Sequence, residues 1–135
     1  VKVAVDTNVL VRALVRDDKE QAEIAARLLR SADLIAVAVS SLCEFVWVLR
    51  RAYRFTTVDV ASAVRALVSA ENVEVDHPAV AAGLAMLDAG CDFADGAIAY
   101  EGRWLGAETF VSFDKTAVEM LKEQGQPARM LSHSS

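Results

Sequence analysis

The opening residues constrain the fold more than any other stretch. Val1-Lys2-Val3-Ala4-Val5 alternates β-branched residues and runs straight into Asp6-Thr7-Asn8, after which Val9, Leu10, Ala13 and Leu14 recur at helical spacing. A β-branched run that breaks at a polar cluster and resumes with a period of 3.6 reads as a buried strand, a turn and a helix. That signal recurs down the chain. Leu34 to Val39 reads as a second buried strand, Val73-Glu74-Val75 as a third, Thr109 to Phe113 as a fourth, and Ala128 to Leu131 as an edge strand.

Between these runs lie helical periods with start and stop signals. The first helix is expected over Asn8 to Arg16, and Asp17 with Glu20 resembles a capping box opening a second through Ile24 and Leu28. Ser41 is expected to cap a helix bearing Leu42, Phe45, Val46 and Leu49 and ending in Arg50, Arg51 and Arg54. Thr56 with Asp59 opens a fourth, Pro78 starts a fifth that Gly90 stops, Asp92 opens a sixth to about Leu105, and a last helix spans Lys115 to Glu123. Strands alternating with helices require parallel pairing. The expected fold class is therefore α/β: a single domain over residues 1–131, with a central, mainly parallel sheet of four to five strands flanked by helices, and a short tail over 132–135.

Bulk properties bound the function. An apolar fraction of 54% exceeds the usual level of roughly 45–50% and points to apolar surface buried against a partner. No run approaches the roughly 18 residues of a membrane span, and no secretory n-region or h-region is present. Cys43 and Cys91 lack metal spacing and suit a reducing cytoplasm. A net charge of −5 argues against a sequence-independent nucleic-acid binder and fits carboxylates awaiting a cation.

Four of the nineteen acidic residues are unusually placed. Asp6 and Asp114 each follow a strand, and Glu44 and Asp95 are expected in the first turns of helices. In parallel α/β layers, strand ends and the helix starts that follow them share one edge, where ligands bind. Asp95 is the most telling, because Phe93, Ala94, Gly96, Ala97, Ile98 and Ala99 surround it with apolar residues. A helix apolar all round is buried, and a buried carboxylate needs a partner. Taken singly, each acid is as readily a cap or turn residue: Ser41 with Glu44 and Asp92 with Asp95 match the capping-box spacing, Asp114 stands where it can cap the last helix, and Asp6 reads as a turn residue with Asn8 as the cap. Jointly, four acids at one edge suggest all-oxygen ligation of Mg²⁺ or Mn²⁺. No histidine is suitably placed, since His77 precedes Pro78 in a turn and His133 is in the tail. No phosphate-loop or dinucleotide glycine pattern occurs.

With those residues in view, the chain resembles the PIN-domain ribonucleases, most closely the VapC-type toxins of bacterial toxin–antitoxin pairs. The matching pieces are Asp6-Thr7-Asn8, Glu44 ahead of Val46-Trp47-Val48-Leu49, Asp92-Phe93-Ala94-Asp95 and Ser112-Phe113-Asp114, in that order over essentially the whole chain. The resemblance implies that Asp6, Glu44, Asp95 and Asp114 hold Mg²⁺ or Mn²⁺ and that the protein cuts RNA. It implies polar supporting roles for Asn8 and Ser112, and for Asp92 a role as auxiliary acid or as cap alone. It also implies a homodimer and a small VapB-like antitoxin covering the groove, with Val11, Leu14, Ala25 and Leu29 as apolar surface or as plain core. Arg50, Arg51 and Arg54 are candidate contacts to RNA phosphates, or ordinary cations at a helix end. Cys43 and Cys91 read as small buried side chains. The alternatives are a PIN nuclease of RNA processing without an antitoxin, and a non-catalytic α/β binding module whose acids are caps. A phosphoacceptor receiver domain fits less well, because Asp6 is alone at its strand end.

Overall fold

The computed structural model describes residues 1–132. Of the expected tail over 132–135, residues 133–135, His133 among them, lie outside the described residues. The described residues form five strands and seven helices, and they fall into two compact units, one over Val1–Asp76 and one from His77 onward. The α/β class with parallel strands is as expected.

The first unit contains β1 (Lys2–Ala4), α1 (Thr7–Val15), α2 (Lys19–Ser31), β2 (Leu34–Ala36), α3 (Val39–Arg51), α4 (Thr57–Val68) and β3 (Val73–Glu74). The strands make one parallel sheet in the order β1-β2-β3, with Val3 opposite Ile35 and Ile35 opposite Val73. Parallel neighbours need crossover connections, which the helices supply. Ile35, Leu42, Leu49, Val60 and Val64 are fully buried, each side chain worth roughly 1.5–3 kcal/mol relative to exposure. Of the four residues read as apolar surface or plain core, Val11 and Ala25 are buried as well, Leu14 is exposed and Leu29 half-buried.

Three helix starts differ from expectation. α1 begins at Thr7 with Asp6 as its cap, so Asn8 lies inside the helix and does not cap it. α2 is capped by Asp18, whose Oδ1 accepts from the Gln21 amide at 3.0 Å, and not by Asp17. Asp17 is occupied elsewhere, accepting from Arg12 Nη1 at 2.9 Å and from the Tyr53 hydroxyl at 2.9 Å. β2 ends at Ala36, and α3 begins at Val39 behind Ala38, which caps it in extended conformation without a side-chain bond. Ser41 is therefore inside the helix. Val37 still pairs through its amide to Glu74 O at 3.0 Å, so the apolar run is strand at one end and helix at the other.

The second unit contains α5 (His77–Asp88), α6 (Phe93–Trp104), β4 (Phe110–Ser112), α7 (Lys115–Glu123) and β5 (Ala128–Met130). β4 and β5 pair in parallel, Val111 opposite Arg129, with α7 as their crossover. The expected sheet of four to five strands is thus a three-stranded and a two-stranded one. β4 and β5 pair with each other, joined by α7 as a βαβ unit within the second unit.

α5 and α6 pack unusually closely. A Cβ on Gly96 would stand 2.2 Å from Ala82 O, and one on Gly83 2.6 Å from Phe93 Cε2. Gly90 ends the α5 segment with φ +84°, a conformation that costs glycine little. Met86, Ala99, Ala117 and Leu121 form the core beneath, joining α5, α6 and α7.

Candidate functional site

In the first unit the site grows from the turn after β1. Asp6 is extended (φ −88°, ψ 174°) and caps α1, its Oδ1 accepting from the Val9 amide at 3.2 Å. A cap needs one carboxylate oxygen, so the exposed side chain keeps its other oxygen for a ligand. Thr7, the first helical residue, is buried. Its Oγ1 lies 3.0 Å from Glu44 Oε2 and 3.4 Å from Ser41 O. One hydroxyl proton cannot serve both, and the shorter, charge-assisted bond to the carboxylate is the stronger.

The early start of α3 changes the meaning of Glu44. The first turn of that helix holds no acid, and Glu44 falls in the second turn, where the amides already have helical partners. The capping-box reading of Ser41 with Glu44 is thereby overturned. Glu44 is exposed, held by Thr7 from another helix. Asn8 is exposed in the wall of an α1–α2 groove of about 230 Å³, lined also by Val9, Arg12, Ile24 and Leu28. The hydroxyl that touches a candidate acid is Thr7's, which the sequence displayed inside Asp6-Thr7-Asn8 without marking its role.

In the second unit three acids share a neighbourhood. Asp92 caps α6, its Oδ1 accepting from the Ala94 amide at 3.1 Å. Asp114 caps α7, its Oδ1 accepting from the Ala117 amide at 3.1 Å. The Ser112 hydroxyl accepts from the Asp114 amide at 3.0 Å, fixing the turn from β4 into α7. Asp95, in the first turn of α6, is half-buried rather than buried, because that helix exposes Ile98. Burial, and then the charges of Asp92 and Asp114, push the Asp95 carboxyl above the ordinary carboxylate range. Cys91 is half-buried too, and so is Cys43. Burial, followed by Asp114, Asp95 and Glu123, raises the Cys91 thiol and keeps it protonated.

Among the described residues, Asp6, Glu44, Asp92, Asp95 and Asp114 have no Lys or Arg partner. Arg103, the nearest cation in sequence to Asp95, is engaged by Gln126 Oε1 at 2.5 Å. Among the described residues no three His, Cys, Asp or Glu side chains are drawn into an ion cage. In each unit the donors are all oxygen and lack a cationic partner, exposed except for the half-buried Asp95, a chemistry suited to a hard divalent cation. Arg50 and Arg51 stand exposed in the last turn of α3, and Arg54 follows with φ +55°. Arg51 Cζ lies 5.8 Å from the centroid of the Trp47 ring.

Among the described residues no helix is long and apolar enough to cross a membrane. No curated protein matches the chain closely enough to count as a relative. The PIN domain does match, over residues 3–120, which takes in Asp6, Glu44, Asp92, Asp95 and Asp114. PIN domains are generally nucleases, hydrolases of nucleic acid that generally depend on divalent metals. With a match over most of its length, the chain belongs to the PIN domain family.

Proposed function

We propose that this chain is a metal-dependent endoribonuclease, with one PIN domain over residues 1–131, and that it serves as the VapC-type toxin of a type II toxin–antitoxin pair in the cytoplasm. Asp6, Glu44, Asp95 and Asp114 hold Mg²⁺ or Mn²⁺. When bound, such an ion supplies charge neutralisation at the phosphodiester and a nucleophile drawn from water at neutral pH. The chain's own residues prepare for it. Thr7 fixes the orientation of Glu44, and Ser112 fixes the backbone that carries Asp114. Asp92 caps α6 and adds negative charge beside Asp95. Arg50, Arg51 and Arg54 offer cations to RNA phosphates without reading sequence.

The observation that carries this reading is the position of Glu44. It has no capping duty, is exposed, and is held by the residue that follows Asp6. Capping does not account for that arrangement, and it suits a ligand shared with Asp6. The test is cleavage of mixed cellular RNA by the purified chain in Mg²⁺ or Mn²⁺, with EDTA and Asp6→Asn as controls. Asparagine caps a helix as well as aspartate does, so the variant keeps the fold and loses only the charge. Discrete cuts lost in both controls are expected; full activity in Asp6→Asn would sink the metal assignment.

The toxin role draws its support from the α1–α2 groove, whose walls are mostly apolar and include the 58% exposed Ile24. An antitoxin segment laid there buries that surface. A homodimer would cover further apolar surface, such as Trp104 and Leu105, exposed by 76% and 89%. Co-purification with the product of a short neighbouring gene, and sedimentation of the chain alone, test these two partners.

A further inference from the structure

Resting on the nuclease reading, we propose that the open face of Trp47, beside Arg51, is a stacking platform for one base of single-stranded RNA, holding that nucleotide next to Glu44. Trp47 is 57% exposed, far more than packing requires of a residue whose neighbours Phe45, Val46 and Leu49 are buried. Glu44, Trp47 and Arg51 recur at i, i+3 and i+7 of α3 and so share one stripe of the helix. Trp47 therefore stands about 4.5 Å along the axis from Glu44, at 1.5 Å per residue. Arg51 covers part of the ring in a cation–π contact, which orients the ring and leaves a guanidinium at its rim.

The surrounding charge selects the occupant. Among the described residues no carboxylate pairs with Arg50, Arg51 or Arg54, in a chain whose net charge is −5. A second copy docking here symmetrically would bring these arginines against their like, since a two-fold interface sets the same patch on itself. A strand of RNA instead offers a π-face to Trp47 and phosphates to the arginines, the two elements of sequence-tolerant single-strand binding. Trp47 thus positions substrate and reads no sequence.

The test uses the full chain carrying Trp104→Phe, which leaves Trp47 as the sole tryptophan. A fluorescein-labelled 2′-O-methyl RNA 12-mer is titrated in EDTA at low salt, so that binding is followed without cleavage. Saturable quenching of Trp47 emission is expected, in step with the rise in fluorescein anisotropy. In the otherwise native chain, Trp47→Ala should weaken binding about 5- to 150-fold, the loss of one base–aromatic stack, and Trp47→Phe should recover most of it. Arg51→Gln should reduce the slope of log affinity against log salt by about 0.7, one single-strand phosphate. With cleavable RNA and metal, Trp47→Ala should raise KM and leave kcat nearly unchanged, the mark of uniform binding.

Anisotropy that rises without quenching would place the RNA elsewhere and overturn the platform while leaving the nuclease reading untouched. Absence of binding overturns it too. A dimer that Trp47→Ala converts to monomer in sedimentation would make this face a subunit interface instead. Quenching without any metal-dependent cleavage would keep the platform and dismiss the nuclease.

Discussion

Thr7 Oγ1 donates to Glu44 Oε2 across 3.0 Å and thirty-seven positions of sequence, joining the first turn of α1 to the second turn of α3. Among the described residues this is the shorter of the two contacts of the Thr7 hydroxyl, the other acceptor, Ser41 O, being 3.4 Å away. Thr7→Val should therefore cost about 1 kcal/mol of stability, the net worth of a part-buried hydrogen bond. The larger effect should be on metal dependence: a ligand released from its orienting partner typically loses 10- to 100-fold in affinity. The Mg²⁺ concentration for half-maximal cleavage should rise accordingly, and Thr7→Ser should restore it. An unchanged Mg²⁺ requirement would make the bond a packing detail.

Asp114 separates capping from ligation. Asp114→Asn retains an acceptor for the Ala117 amide, so its melting temperature should stay near that of the native chain. Asp114→Ala loses the cap and should fall by about 0.5–2 kcal/mol. Cleavage should be lost in both. If only the alanine variant were inactive, the acid would matter through α7 alone.

The pH dependence follows from Asp95. Its carboxyl is raised by burial, then by Asp92 and Asp114, so the folded state binds the proton more tightly than the unfolded state. Where the native state holds more protons, stability falls as pH rises. In EDTA, the penalty from Asp95 should be absent below the ordinary carboxylate pKa of 3.8, grow as pH climbs through the raised value, and be constant above it. Asp95→Asn should then melt above the native chain at pH 7 and converge with it in acid. Saturating Mg²⁺ should erase the difference by neutralising the cluster. A native chain that melts above Asp95→Asn at pH 7 in EDTA would reverse the sign of this account.

Much of the fold was legible because period and punctuation agreed. α7 falls on Lys115–Glu123 as expected, between the cap Asp114 and Gly125 with φ +80°. Thr56 caps α4 through the Asp59 amide at 3.1 Å, as its spacing indicates. The start of α3 was not legible, because Ala38 offers no capping side chain and Val37 and Val39 are both β-branched. Nothing local separates the last strand residue from the first helical one there. Asp17 and Asp18 were ambiguous for a different reason: both cap well, and the choice was made by Tyr53, thirty-six positions away. For the site, the sequence singled out the acids but not Thr7, since a buried threonine beside an acid has no period or spacing to mark it. The half-exposed Asp95 differs from expectation because Ile98 faces outward, which only the packing of α6 on α5 decides.

That packing sets up a stability contrast between two glycines of α6. α6 carries two interior glycines, Gly96 and Gly102, with opposite surroundings. A methyl on Gly96 would meet the Ala82 carbonyl oxygen at 2.2 Å and its carbon at 2.8 Å, both backbone atoms that cannot swing aside. A methyl on Gly102 would meet only the Ala107 Cβ at 3.8 Å, an ordinary contact. Gly102→Ala should stabilise by about 0.4–1 kcal/mol through reduced freedom of the unfolded chain. Gly96→Ala should destabilise by about 1–3 kcal/mol as α6 is pushed off α5, and should also displace its neighbour Asp95. Chemical denaturation of the two variants, with the Mg²⁺ requirement measured on each, checks both halves. Gly96→Ala should raise that requirement and Gly102→Ala leave it alone; equal stability of the two variants would mean that α5 and α6 do not approach as closely as Gly96 and Ala82 place them.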